Sequence, residues 1–329
     1  MMSSTCDGFH IFDPSTLETP LRVSMDSSNP FCSYSRNCRM ISAASTHGLF
    51  VLDAYSKAQL RQLMADQPYL CACFSPDHRL LAAVSTSPFF LYVWRVSDWE
   101  LLVDRKPLNF ECLSAKFTPD SRTLVITCRE GQALLLDASN GSFEQCSVVR
   151  TTLLQLPDTV TCSVCVPATR ILPDKAQLSD VSAQEGETEC NTQSLGGYKT
   201  ARKQMLLALA SDFYSKCHIF DITNSHDPIL LTGLRCDQPV TNCLFSPDGA
   251  LLATCHAISG FSLWDVSTRR AVLHVKTYAS MLAFHPRRSG VLVTAGLNRL
   301  SFWSAREDDV AAAAARDGDT DAITTYVSV

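Results

Sequence analysis

The 329-residue chain has no long apolar run and no basic cluster, and each absence excludes a class of function. No apolar run reaches the roughly 18 residues that a membrane-spanning helix requires, so we expect no transmembrane segment. The N-terminus lacks the charged and apolar regions of a secretory signal peptide, and we therefore expect a cytoplasmic or nuclear protein. The net charge is −5, and Arg269-Arg270 and Arg287-Arg288 are pairs rather than patches. A nucleic-acid partner would require more clustered positive charge, and we expect none.

The motifs of common catalytic sites are also absent. There is no glycine-rich phosphate loop, no G-x-S-x-G turn and no H-E-x-x-H pair. Cys162 and Cys165 have the spacing of half a metal site or of a redox pair, but no second half of a metal site follows, and residues three apart in a strand point to opposite faces. Cys71 and Cys73 would share a face, which can equally belong to the core. We expect no enzyme, no cofactor and no metal, and fifteen cysteines without a secretory signal indicate a reducing compartment.

What the chain does contain is a repeat. One sequence motif, which we call the repeated phrase, recurs as FSPDHRLLAAVS from Phe74, FTPDSRTLVITC from Phe117, FSPDGALLATCH from Phe245 and FHPRRSGVLVTAG from Phe284. Each phrase is followed by an apolar run that ends in or next to tryptophan or aspartate. We call the residue at the end of each apolar run its closing residue. The spacings between successive closing residues are 40, 42, 42, 84, 44 and 39 residues, for the set Asp13, Asp53, Arg95, Asp137, Asp221, Asp265 and Ser304. Such a period indicates an array of similar small units.

Residues 240–275 show how one unit is built. The segments VTNCLFS, LLATCH, FSLWDV and AVLHVK predict four short antiparallel strands. Pro247 and Asp248 favour a tight turn between the first two strands, and we assign the same turn role to Asp77 and Asp120. A small sheet of this kind cannot bury both faces alone, so it must stack on neighbouring sheets.

This period, the four strands, the F-S-P-D-G turn and the Trp264-Asp265 pair resemble the Trp-Asp (WD) repeat family of β-propellers. The resemblance covers about residues 9–304 and implies an all-β fold, a single propeller of four-stranded blades, with seven blades favoured. The Gly-His pair that usually opens a family repeat is absent, so the buried Asp-His-Ser/Thr-Trp network is expected to be incomplete, with Thr254 and Trp264 keeping a fragment. The repeat is defined by Phe74, Pro76, Asp77, Trp94, Phe117, Pro119, Asp120, Asp137, Phe245, Pro247, Asp248, Trp264, Asp265, Phe284, Pro286 and Trp303.

The same pattern predicts the blade boundaries. Six blades are expected over residues 30–64, 69–105, 111–150, 158–234, 238–275 and 278–304. In the seventh, residues 8–13 and the segment near Leu21 would be third and fourth strands whose first two strands are missing. The tail, 305–329, would be flexible or would add a strand to this closing blade. The 84-residue step would hold a long flexible insertion at about 171–203, either tolerated on the surface or used to bind a partner.

The resemblance implies a non-catalytic scaffold for protein–protein interaction, or a subunit of a multiprotein complex. Two alternatives remain open. In a lipid-binding propeller, Arg287 and Arg288 would contact a phosphoinositide headgroup, since the sequence around them loosely resembles an Arg-Arg pair flanked by Phe and Gly. In the second alternative, the chain would be a propeller enzyme, because a fold does not determine a function.

Overall fold

A computed structural model describes residues 2–5, 8–11, 21–24, 31–56, 58–64, 67–86, 88–129, 131–150, 160–165, 203–211, 215–256, 260–276, 279, 281–285, 288–296 and 299–304. Within those residues the chain is all-β, with twenty-six strands and no helix. No helix there is long and apolar enough to cross a membrane. The predicted insertion at 171–203, apart from Lys203, and the tail at 305–329 lie outside the described residues.

The strands form seven antiparallel sheets, which we number I to VII in chain order. Within each sheet, every strand pairs with the strand that follows it in the chain. Sheet I contains β1 (Met2–Thr5), β2 (Gly8–Ile11) and β3 (Leu21–Ser24); sheet II contains β4 (Phe31–Tyr34), β5 (Met40–Ser45), β6 (Gly48–Asp53) and β7 (Gln59–Leu63). Sheet III contains β8 (Tyr69–Phe74), β9 (Leu80–Ser85), β10 (Phe90–Arg95) and β11 (Leu101–Pro107); sheet IV contains β12 (Cys112–Phe117), β13 (Thr123–Cys128), β14 (Gln132–Asp137) and β15 (Glu144–Arg150). Sheet V contains β16 (Val160–Cys165), β17 (Leu206–Ser211), β18 (Lys216–Asp221) and β19 (Ile229–Arg235); sheet VI contains β20 (Val240–Phe245), β21 (Leu251–His256), β22 (Gly260–Asp265) and β23 (Arg270–Val275). Sheet VII contains β24 (Met281–His285), β25 (Arg288–Gly296) and β26 (Arg299–Ser304).

The all-β class and the four-stranded units of sheets II to VI are confirmed. One prediction was wrong at the N-terminus, where both strands before residues 8–13 were expected to be missing. A strand precedes them, because Met2 pairs with Ile11 and Thr5 with Gly8 in an antiparallel hairpin. Residues 2–5 are mostly polar, so hydrophobicity gives no signal for this strand, and backbone pairing with β2 accounts for it.

The chain divides into two compact units, Met1–Val160 and Thr161–Val329. In the first unit, β8 of sheet III packs against β4 and β5 of sheet II and against β12 of sheet IV. Alternate residues of β10 serve the two interfaces: Tyr92 and Trp94 belong to the core shared with sheet II, whereas Leu91 and Val93 belong to the core shared with sheet IV. Burial on both faces explains why the strands read as nearly continuous apolar runs.

The second unit repeats this plan around sheet VI. Leu252 and Trp264 pack in a core with residues of sheet V, and Phe261 and Leu263 pack in a core with Trp303 and other residues of sheet VII. Each large apolar side chain buried in this way contributes about 1.5–3 kcal/mol. Packing between neighbouring sheets is therefore the main source of stability within each unit.

Candidate interaction surface and polar network

The turn between the first and second strands has the same polar contacts in four sheets. In sheet III, Ser75 Oγ donates to Asp77 Oδ1 at 2.6 Å, the same carboxylate oxygen accepts from the N–H of Arg79 at 3.1 Å, and the N–H of Leu80 donates to Ser75 Oγ at 2.9 Å. Equivalent contacts are made by the pairs Ser35 and Asn37, Thr118 and Asp120, and Ser246 and Asp248. The aspartates of the repeated phrase thus act within their own turns.

One position in this turn has a left-handed backbone conformation in every case. The φ angle is 56° at Cys38, 63° at His78, 62° at Ser121 and 68° at Gly249. Only sheet VI has glycine there, so the other three turns hold a side chain in a conformation that favours glycine. Ser121 has an additional contact, since its Oγ accepts from the backbone N–H of Asp77 at 3.0 Å and joins the turns of sheets III and IV.

The acidic residues that close the third strands are also turn residues. Asp265 Oδ1 accepts from Ser267 Oγ at 2.6 Å and from the N–H of Thr268 at 2.8 Å. Burial would raise the pKa of Asp265, but these hydrogen bonds outweigh it and hold the pKa below its ordinary value. Similar contacts are made by Asp53, Asp137 and Asp221. In sheet III, Arg95 takes this position and pairs with Asp98 and Glu100 instead.

The fourth strands β7, β11, β15, β19 and β23, which we call the outer strands, each lie at one edge of their sheet. In the described part of the chain, the exposed large apolar side chains are Tyr55, Leu60, Ile229 and Val272, with exposed fractions from 40% to 96%. All four lie on an outer strand or in the turn that leads to one. An edge strand also leaves one row of backbone N–H and C=O groups without a partner from its own sheet. Sequence reasoning missed this surface because hydrophobicity alone does not separate exposed from buried apolar residues.

The predicted contact between Thr254 and Trp264 is present in sheet VI, where the indole N–H donates to Thr254 Oγ1 at 2.9 Å. Sheet VII has the same contact, which was not predicted: Trp303 donates to Thr294 Oγ1 at 3.0 Å. In both sheets the threonine lies on the second strand, two residues after the leucine that pairs with the tryptophan. That spacing is a signal which the sequence did contain.

Two histidines extend the network in sheet VI. Ser262 Oγ lies 3.0 Å from His256 Nε2 and 2.9 Å from His274 Nδ1, and His256 Nε2 lies 3.4 Å from Thr254 Oγ1. Thr254, His256 and Ser262 are buried, whereas His274 lies on the exposed outer strand β23. Burial is the main cause that lowers the pKa of His256, and the charge of His274 acts in the same direction.

A serine hydroxyl between two imidazoles has the contacts that activate a nucleophile. Ser262, however, is only 5% exposed, and it lies in the interior of unit 2 on the same face of sheet VI as Trp264. The hydroxyl is therefore largely shielded from solvent.

The other candidate residues from the sequence do not converge on a site. Cys71 and Cys73 are both buried, and burial raises the pKa of Cys71 well above its ordinary value, as expected of core thiols. Cys162 and Cys165 lie three residues apart in β16. Among the described residues, no group of three histidine, cysteine, aspartate or glutamate side chains could hold a metal ion.

The proposed lipid contact is not brought into a described site. Arg288 is the first residue of β25, and Pro286 and Arg287 lie outside the described residues. Phe284 is half-buried and packs against the core shared by sheets VI and VII, so its side chain contributes to stacking.

No protein-family model matches the chain, and no curated protein matches its sequence. The resemblance to WD repeats therefore depends on the residues of this chain.

Proposed function

We propose that the chain is a divergent WD-repeat protein whose seven sheets are the blades of one β-propeller. Three features support this: the four-stranded antiparallel plan of sheets II to VI, the repeated turn contacts, and the tryptophan-to-threonine hydrogen bonds of sheets VI and VII. The closing blade, with any contribution from residues 305–329, is part of the same proposal. An experimental structure with seven blades around one axis would support it, and an open arrangement of sheets would refute it.

We propose that this protein is a non-catalytic scaffold that docks other proteins along its outer strands. The observation that carries the proposal is the position of the exposed apolar side chains of Tyr55, Leu60, Ile229 and Val272 at the sheet edges. A partner segment that pairs with such an edge satisfies the open backbone groups and buries these side chains at about 25 cal/mol per Å². The polar side chains of the turns are already engaged within the turns, which leaves the outer strands as the favoured contact surface.

Affinity purification from native cells with quantitative mass spectrometry tests the scaffold function. The tagged full-length chain is compared with a variant that changes Tyr55, Leu60, Ile229 and Val272 to serine. Because these side chains are exposed, the variant is expected to keep its fold, which circular dichroism checks. A matched control changes the exposed residues Gln59 and Gln62 of β7 to serine.

Stable partners that bind the full-length chain and the glutamine control, but not the apolar variant, would support docking on the outer strands. A further variant that lacks residues 172–200 separates the two candidate surfaces. Partners lost only with this deletion would move the docking site to the predicted insertion and keep the scaffold function. If a folded full-length chain retains no stable partner, the scaffold function is refuted.

A further inference from the structure

The hydrogen-bond chain in sheet VI joins the surface to the interior through a single hydroxyl. His274 lies on the exposed strand β23, Ser262 is 5% exposed on β22, and His256 is 2% exposed at the end of β21. Thr254, Ser262 and His274 are direct cross-strand neighbours, which fixes their side chains in one row on one face of the sheet. The contacts at 2.9 and 3.0 Å are within ordinary hydrogen-bond distance.

A hydroxyl group carries one proton, so Ser262 can donate to only one of the two imidazoles. If Ser262 donates to His274 Nδ1, the other ring must supply an N–H at His256 Nε2. If His274 carries a proton on Nδ1, Ser262 Oγ accepts a hydrogen bond from this N–H, and its own hydroxyl donates a hydrogen bond to His256 Nε2. A neutral His256 then carries its hydrogen on Nδ1. The direction of the chain and the tautomer of the buried ring are therefore linked.

Protonation of His274 selects one of these two directions. An imidazolium carries a proton on both nitrogens, so a protonated His274 must donate from Nδ1 to Ser262. Imidazole side chains change charge between about pH 5 and 8. Burial lowers the pKa of His256, so this ring stays neutral at a more acidic pH than an exposed imidazole does.

The other nitrogen of the buried ring, Nδ1, is also buried and has no hydrogen-bond partner among the described residues. The neighbours that act on this ring are His274 from β23 and the backbone of Gln238 with the carboxylate of Asp237, both from the loop at 236–239 that precedes β20. A hydrogen moved between Nε2 and Nδ1 changes which ring nitrogen can donate and which can accept.

We propose that His274, Ser262 and His256 form a proton relay that couples the protonation of the exposed His274 to the tautomer of the buried His256. The proton on His256 Nε2 passes to Ser262 Oγ, the hydroxyl proton of Ser262 passes to His274 Nδ1, and one proton from solvent binds His256 Nδ1, which requires transient exposure of this buried nitrogen. One N–H bond breaks and two form, so the net change is the uptake of one proton.

Long-range ¹H–¹⁵N spectra of the full-length chain, labelled with ¹⁵N at histidine, test the relay between pH 5 and 8. The ring nitrogen shifts report both charge and tautomer, and the substitutions His256→Asn and His274→Asn assign the signals. We expect His256 to change from the Nε2–H pattern to the Nδ1–H pattern as the pH falls, with the same midpoint as the titration of His274. A single tautomer of His256 throughout the titration of His274 would overturn the proposal.

Two variants establish that the link is direct. Ser262→Ala removes the bridging hydroxyl, and His274→Gln removes the titrating ring on an exposed strand where little packing is lost. In either variant the tautomer of His256 should no longer follow the midpoint seen in the native chain. Ser267→Ala, whose hydroxyl serves the Asp265 turn of the same sheet, is the matched control and should retain the coupling. If the tautomer of His256 changed with the same pH midpoint in His274→Gln as in the native chain, the relay would be refuted even if Ser262→Ala failed to fold.

Discussion

The hydroxyl of Thr118 offers a sharp test of what holds the repeated turn. Thr118 is only 1% exposed, and its Oγ1 donates to Asp120 Oδ1 at 2.6 Å and accepts from the N–H of Thr123 at 3.0 Å. Thr118→Val keeps the branched shape but removes both hydrogen bonds. Thr123 is buried too, so its N–H would be left inside the protein without this partner.

The cost follows from those two losses. A hydrogen bond to a charged group contributes about 1.5–3 kcal/mol, and a buried donor left unpaired costs about 1–3 kcal/mol. Because the two effects share one group they do not add fully, and we expect Thr118→Val to lower the free energy of unfolding by about 2–4 kcal/mol. Thr118→Ser keeps the hydroxyl and loses one methyl group, at about 1 kcal/mol. Serine occupies this position in sheets II, III and VI, as Ser35, Ser75 and Ser246.

Urea unfolding at pH 7 measures the difference. Trp94 and Trp99 lie in the same unit as sheet IV, so their fluorescence reports the relevant transition. Thr118→Val should lower the midpoint well below that of Thr118→Ser without changing the slope. If the two variants agree within about 0.5 kcal/mol, the hydroxyl does not hold this turn and the account of the repeated phrase is wrong.

Three further predictions follow from the same contacts. Cys38→Gly should raise the free energy of unfolding by about 0.5–1 kcal/mol, because Cys38 has a left-handed φ of 56°. Gly249→Ala should lower the free energy of unfolding by a similar amount, because Gly249 has a φ of 68°. Urea midpoints equal to that of the native chain would contradict both expectations. Burial lowers the pKa of His218 and His256 in the folded state, so the unfolded chain binds protons that the native chain does not. Stability should therefore be complete above about pH 6.5 and fall as the pH drops below it, and His256→Asn should flatten this dependence in urea unfolding; an unchanged slope with pH would contradict it. At pH 8 the exposed Cys38 should react with a thiol reagent well before Cys32, whose pKa burial raises to about 12, and mass spectrometry of the native chain identifies which of the two is labelled first.

The strand pattern of sheets II to VI could be predicted because its causes are local. A motif such as FSPDGALLATCH contains the turn residues and the apolar strand residues next to each other in sequence. Strands that follow each other along the chain then pair with each other in the sheet, as β20 and β21 do. The roles of Asp77, Asp120 and Asp248 follow from the same local chemistry, since each carboxylate contacts groups within two residues.

Features that depend on register could not be predicted in the same way. The contact between Ser262 and His274 requires the particular pairing of β22 with β23, which includes a bulge between Leu263 and Trp264. A bulge shifts which residues share a face, and nothing in a polar-apolar pattern locates it. The first strand of sheet I was missed for a related reason, since backbone pairing rather than apolar burial defines it.

The three sheets that keep the tryptophan show how a repeat can diverge and still stack. In sheets VI and VII the tryptophan donates to a threonine two residues beyond its cross-strand leucine. In sheet III the same register places Ala83 at that position, where no side-chain acceptor exists. There Trp94 stacks on Tyr92, with ring centroids 5.9 Å apart and planes 15° apart, and Tyr69 packs edge-on against both rings. Aromatic pairs of this kind contribute about 0.5–1.5 kcal/mol, similar to one hydrogen bond, so packing can replace the polar contact at little cost in stability. Sheets of this plan can therefore stack with or without the tryptophan-to-threonine contact, so repeated four-stranded units do not require a sequence that a family model matches.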